Sequence, residues 1–236
     1  MEQPRPAPLP EHLIVLAIQA HPDDVDFSSG GTVARLARDG HEVHYLSATS
    51  GNKGSHDRSM TPERLTEIRE SEEEEAARRL GVASCRFLRH NDGELEANLS
   101  LRGEVCRVIR EVRANAIMTF DPWRPYQMHP DHRAIGITAL DAVIAARDHM
   151  FFPEQLRDGV DISRVHEVYL FGTGEPDFWM DITETIEQKI FAATAHASQI
   201  RDDMERRAER QRARAHEIGE AHGMKYAEAF KRLRLN

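Results

Sequence analysis

An unbroken apolar run, Leu13 to Ile18, leads into Ala20-His21-Pro22-Asp23-Asp24, and Gly30-Gly31 within an amphipathic segment follows. Such a run suits a central parallel strand covered on both faces, so the histidine and the two acids fall on the turn that leaves it. Open α/β sheets build their sites at that end of the strands. Further along, His129-Pro130-Asp131-His132 follows a second apolar run, Ala116 to Phe120. Two clusters of histidines and carboxylates at two strand ends predict one shared metal site.

The intervening chain alternates strand and helix signals. Thr32 to Arg38 places Val33, Leu36 and Ala37 on one helix face before Gly40, and Val43 to Ala48 reads as a second strand. After the glycine-containing loop Thr49 to Ser55, Thr61-Pro62 opens a helix with Leu65, Ile68, Ala76 and Leu80 inward and Gly81 at its end. Its acidic run, Glu72 to Glu75, reads mainly as a solvated face, because only one or two of four consecutive helical residues point the same way. Arg86 to Leu88, His166 to Phe171 and Phe178 to Ile182 are further strand candidates, the last near an edge, and Leu101 to Val112 is a helix. This order predicts a three-layer α/β/α sandwich with a mainly parallel sheet. Beyond Asp181 the pattern predicts helices over Thr183 to Ser198, Ile200 to Gly219 and Tyr226 to Leu235. A single domain over 1–236 is expected, with 1–10 flexible and 183–236 as a helical C-terminal part.

Composition narrows the function classes. A chain of 236 residues with 40% hydrophobic residues supports one sizeable core, and a net charge of -9 gives no basic field for nucleic acid. Cys85 and Cys106 lack the spacing of a zinc ribbon or redox pair and read as buried thiols. The proline-rich start has no signal-peptide pattern, and no stretch approaches the roughly 18 apolar residues of a membrane span. A cytoplasmic protein is expected.

A catalytic zinc takes three protein ligands and keeps one position for water. His21, Asp23, Asp24, His129, Asp131 and His132 are the candidates. Neighbouring side chains in extended backbone point in opposite directions, so one of Asp23 and Asp24 is expected on the metal and the other in a different role. Pro22 and Pro130 stiffen the two turns. With a helix beginning at His129 or Pro130, His129 and His132 lie on one face, three residues apart.

These residues resemble the LmbE-like or PIG-L family of zinc-dependent N-deacetylases, Rossmann-like enzymes that deacetylate N-acetylglucosamine-containing substrates. The resemblance runs through His21-Pro22-Asp23-Asp24 with Gly30-Gly31, Thr49-Ser50-Gly51, Ile68-Arg69-Glu70-Ser71-Glu72, Asp92-Gly93, His129-Pro130-Asp131-His132 and Ala227-Glu228-Ala229-Phe230. It implies His21, Asp24 and His132 as ligands to Zn2+ or another divalent transition metal, and Asp23 as general base toward a zinc-activated water. It further implies that His129 steadies or protonates the reacting centre, that Arg69 and Asp92 face the substrate, and that the chain is a homo-oligomer, trimer or hexamer. The sequence departs from the family at Val25, where many members carry glutamate and Asp26 is the nearest acid, and at Asn52-Lys53, where glutamate often follows the loop glycine. These departures bear on the substrate and on the role of Asp26.

Asp131 reads equally as a partner that orients a ligand histidine or as a helix cap. Isolated histidines such as His41, His44, His166 and His196 read as surface or satisfied core residues. Trp123 and Tyr126, in the loop before the second cluster, read as sugar contacts or packing anchors. A nucleotide-binding alternative lacks G-x-G-x-x-G after the first strand. A non-catalytic zinc protein using Arg201 to Arg214 as an interaction surface would favour a closed set of four strong ligands.

Overall fold

The computed structural model describes residues 9–200 and 203–236, so the expectation for 1–10 lies almost wholly outside the described residues. The elements are β1 (Ile14–Gln19), α1 (Asp24–Arg38), β2 (Glu42–Thr49), α2 (Pro62–Leu80), β3 (Ser84–His90), α3 (Leu99–Val112), β4 (Ala116–Phe120), α4 (Pro130–Ala146), α5 (Pro153–Arg157), β5 (Glu167–Phe171), β6 (Phe178–Asp181), α6 (Ile186–Ala193), α7 (Met204–Glu220) and β7 (Ala227–Arg234). The strands form one sheet in the order β3-β2-β1-β4-β5-β7-β6, parallel from β3 to β5 and antiparallel at β7 and β6. Helices α1, α2 and α6 pack together, and α3 pairs with α4.

Chain order reverses between β1 and β4, which lie side by side with Val15 opposite Ala116. Their carboxyl ends therefore open a crevice at a topological switch point, where α/β sheets place ligands. All five residues of β4 and five of the six of β1 are buried, so both loops leave from a rigid floor.

Gly31 shows why α1 can lie close to the far edge of the sheet. A methyl group there would stand 2.7 Å from Cδ1 and 3.0 Å from Cβ of Ile182, and the latter cannot rotate away. Glu228 of β7 meets the same stretch, accepting the N–H groups of Gly31 at 3.1 Å and Thr32 at 2.7 Å, while Lys189 Nζ supplies its countercharge at 2.6 Å.

The C-terminal part differs from expectation. Residues 227–234 are a strand inserted between β5 and β6, not a helix, and α6 covers only Ile186–Ala193 of the longer helix expected. Ala-Glu-Ala has high helix propensity, but a place between two strands supplies ladder hydrogen bonds that outweigh it. Cys106 is buried as expected, whereas Cys85 is half-buried, and the two are unpaired. Among the described residues no helix is long and apolar enough to cross a membrane.

Gly31→Ala should lower unfolding stability by about 1–3 kcal/mol through overpacking against Ile182, despite the better helix propensity of alanine. Urea denaturation measures this, and an unchanged midpoint would show that the contact relaxes without loss.

Candidate active site

The turn after β1 carries unusual backbone geometry. Asp23 has φ 107°, in the left-handed region that non-glycine residues seldom occupy. The Asp24 carboxylate bends back to accept the His21 N–H at 2.8 Å, which ties the start of α1 to the end of β1. Across the crevice, His129 forms the N-cap of α4 with Pro130 as first helical residue, and its Nδ1 accepts the Asp131 N–H at 3.3 Å.

These two turns bring the expected residues together. Nδ1 of His21 lies 3.4 Å from Oδ2 of Asp24, and Nε2 of His132 lies 3.2 Å from Oδ1 of the same carboxylate. The rings of His21 and His132 are 5.3 Å apart between centroids. Among the described residues, the groups in this crevice whose donor atoms all lie within 4.8 Å of one another are His21, His129 and His132, and His21, Asp92 and Asp131; the expected trio of His21, Asp24 and His132 is joined only pairwise, through the two oxygens of Asp24. His132 is sandwiched between Phe120, stacked at 4.0 Å, and His129, stacked at 4.5 Å, which fixes its plane.

The other side of His21 is held by carboxylates. Its Nε2 lies 3.1 Å from Oδ1 of Asp92 and 3.2 Å from Oδ2 of Asp131. Burial disfavours a charged ring, but hydrogen bonds to Asp131, Asp24 and Asp92 outweigh it and push the His21 pKa up to about 12. Such an environment draws positive charge: Nε2 faces two carboxylates, and Nδ1 faces a third, that of Asp24. Asp24 is itself buried, but His132 and His21 hold its carboxyl well below the usual carboxylate range. Asp131 is fully buried; its oxygens also accept the N–H groups of Gly93 at 2.6 Å and Leu95 at 3.1 Å, so it anchors the loop that carries Asp92.

Asp23 has a partner of its own, Arg69. Burial pushes its carboxyl up to about 6, with Arg69 opposing the rise. Arg69 is buried, donating to Asp23 Oδ2 at 3.0 Å, to the Pro22 carbonyl at 2.6 Å and to the Gly51 carbonyl at 3.1 Å. Gly51 has φ 61°, and any side chain there would occupy the space of the guanidinium. The Arg69 donors are thus turned to the His21–Asp24 turn, not to a surface ion pair. His129 is shifted down by burial and by the neighbouring His21 and His132. With Nδ1 accepting, its proton belongs on Nε2.

Asn52 accepts the Asp92 N–H at 3.0 Å, and Lys53 pairs with Glu94, so both residues tie the loop after β2 to the Asp92 loop. Trp123 and Tyr126 stand exposed on the β4–α4 loop.

Sequence reasoning did not single out Gln19 or Glu73, whose side chains lie directly beneath the Asp23 turn. The signal was present for Glu73: Leu65, Arg69, Glu73, Ala76 and Leu80 share one helical face, and all are buried.

Fold and site thus define a doubly wound α/β protein with a candidate metal centre at the switch point. The family model for PIG-L, GlcNAc-PI de-N-acetylase, matches residues 16–143, and the chain belongs to this family. It is 35% identical over 190 residues to diacetylchitobiose deacetylase of Thermococcus kodakarensis, covering 80% of this chain and 71% of that protein. It is 33% identical over 196 residues to a probable N-acetyl-alpha-D-glucosaminyl L-malate deacetylase 2 of Bacillus cereus, covering 78% and 83%. The solved structure of N,N'-diacetylchitobiose deacetylase from Pyrococcus horikoshii with its inhibitor MPG superposes with a TM-score of 0.88 at 34% identity, covering 95% of this chain and 84% of that one.

Asp131→Asn should weaken divalent-cation binding by about 10- to 100-fold, because it withdraws the charge that orients His21. Competition with a chromogenic chelator measures it; an affinity equal to wild type would leave Asp131 as a loop anchor alone.

Proposed function

We propose that this chain is a metal-dependent hydrolase that removes the N-acetyl group from an N-acetylglucosamine-type amino sugar or conjugate. The observation that carries the reading is one crevice holding a three-donor cluster, His21, Asp24 and His132, beside a separately held carboxylate, Asp23, and a neutral imidazole, His129. The named deacetylase relatives give the reaction class. Fold likeness alone would not, since the hydratase GalB from Pseudomonas putida shares the fold at a TM-score of 0.79 with 23% identity.

His21, Asp24 and His132 would hold the ion, with zinc the first candidate for two imidazoles and a carboxylate. When bound, such an ion polarises the acetyl carbonyl and makes water acidic enough to attack near neutral pH. Asp23 accepts the proton of the attacking water, a task suited to a carboxyl raised to about 6. Arg69 and the Pro22 carbonyl keep that carboxylate aimed. Water adds to the amide carbon, and His129 donates from Nε2 to the developing oxyanion. The C–N bond then breaks, the proton held by Asp23 passes to the departing amine, and acetate and the free amino sugar result. Trp123 and Tyr126 offer exposed ring faces to the sugar on the loop that leads to His129.

Purified protein should release acetate from a panel of N-acetylglucosamine conjugates, lose this activity on chelation and regain it with zinc. Asp23→Asn should lower turnover by about 10²- to 10⁴-fold with metal content unchanged, and unchanged turnover would remove Asp23 from the proton transfer. His129→Ala should cost about 10²- to 10³-fold, measured in the same assay.

A further inference from the structure

Glu73 is the inward member of the acidic run on α2 and is fully buried beneath the turn that carries Asp23. Its Oε2 accepts the Asp23 N–H at 2.9 Å, and its Oε1 accepts from Nε2 of Gln19. Gln19, the last residue of β1 and equally buried, also donates to Ser47 Oγ at 3.0 Å and accepts the Val25 N–H on Oε1 at 2.8 Å. The two side chains thus take up the N–H groups on either side of Asp24. On its outer side Glu73 faces His196, 3.8 Å away, which bonds Asp26 at 2.7 Å, and Tyr45 closes the group with a 2.8 Å bond to Asp26. Neither Gln19 nor Glu73 reaches the crevice.

We propose that Gln19 and Glu73 form a hydrogen-bond clamp that holds Asp23 in its left-handed backbone conformation and so aims its carboxylate; they are positioning residues for the deacetylation, and the proposal rests on that reading. The argument is steric and directional. A non-glycine residue at φ 107° stays there only when its surroundings over-determine it. Arg69 restrains the Asp23 side chain and the Pro22 carbonyl, but the Asp23 N–H is taken by Glu73. Without that acceptor the N–H would be buried and unpaired, and the turn would relax toward a conformation that points the carboxylate elsewhere. The outer contacts from Gln19 keep Glu73 from following it.

Glu73→Gln and the exchanged pair Gln19→Glu/Glu73→Gln test the clamp. The single change leaves two amides facing each other and breaks one of the two contacts. The exchanged pair restores them all: the new amide at 73 accepts from the Asp23 N–H and donates to the new carboxylate at 19, which takes the Val25 N–H and the Ser47 hydroxyl. Glu73→Gln should lower kcat for acetate release by about 10- to 100-fold, the scale of a misplaced reacting group, with KM within about twofold and metal content unchanged. In the metal-free protein, hydrogen exchange at the Asp23 amide should be slow in wild type, fast in Glu73→Gln and slow again in the exchanged pair, whose kcat should return to within about threefold of wild type. An exchanged pair as impaired as the single variant, or a single variant with wild-type kcat, would overturn the clamp. Should Glu73→Gln not fold, the exchanged pair against wild type decides by the same two readouts. If wild type releases no acetate from any conjugate, the deacetylase reading fails, and equal Asp23 exchange in all three proteins would independently refute the clamp.

Discussion

Three carboxylates, Asp24, Asp92 and Asp131, converge on the imidazole of His21, and much of the surrounding loop structure is explained by the need to hold them there. Like charges about 4 Å apart repel by about 4 kcal/mol at the effective dielectric of a protein surface and more in its interior. That repulsion is offset locally. Asp131 takes two backbone N–H groups from the Gly93–Leu95 turn, and Asp24 takes the His21 N–H and faces His132. What these donors leave is negative charge directed at His21, which favours positive charge on that ring. The parallel β1–β4 pair makes the convergence possible, because it delivers two turns to the same end of the sheet.

How much of this was legible in the chain depended on whether it was encoded locally. The His21–Asp24 and His129–His132 turns announce themselves because each is a strand end followed at once by donors and a helix. The proline at the first helical position of α4, with His129 as its cap, is a local signal of the same kind. The C-terminal strand is the opposite case. Residues 227–234 carry the composition of a helix, and what makes them a strand is the pairing of Phe171 with Phe230 and of Asp181 with Ala227, neither of which a local pattern can contain. Glu73 falls between. Its helical phase with Leu65 and Arg69 was readable, but the run of glutamates around it hid one buried carboxylate among solvated ones.

Beneath the crevice lies a second polar layer built on different terms. Asp26, Glu73, His196 and Tyr45 are all fully buried, with Asp26 bonded to both Tyr45 and His196, and burial together with Asp26 pushes the Glu73 carboxyl well above its ordinary range. A buried ionic cluster contributes little net stability, since the desolvation of each charge roughly offsets its pairing. What such a cluster supplies is direction: Glu73 is held by Gln19 on one side and approached by His196 on the other, so the acceptor offered to the Asp23 turn has a fixed place. Asp26 thereby joins the support of the turn from the inside, two residues beyond the donor expected on the metal. His196, read from sequence as a surface or satisfied core residue, is fully buried and bonds Asp26 of α1.

The loop after β2 connects the metal-side geometry to whatever lies outside it. Asn52 and Lys53 both bond the Asp92 segment, one through the Asp92 N–H and the other through Glu94. Asp92 in turn bonds His21. A change in this loop is therefore transmitted to His21 through two hydrogen bonds, and the loop cannot be altered without moving the imidazole unless Asp131 holds it. Asp131 is the residue able to do so, because its second oxygen is fixed by backbone and not by any variable side chain. The division of labour between an adjustable carboxylate, Asp92, and an invariantly anchored one, Asp131, lets the surface around the crevice vary while the ring beneath it keeps its plane.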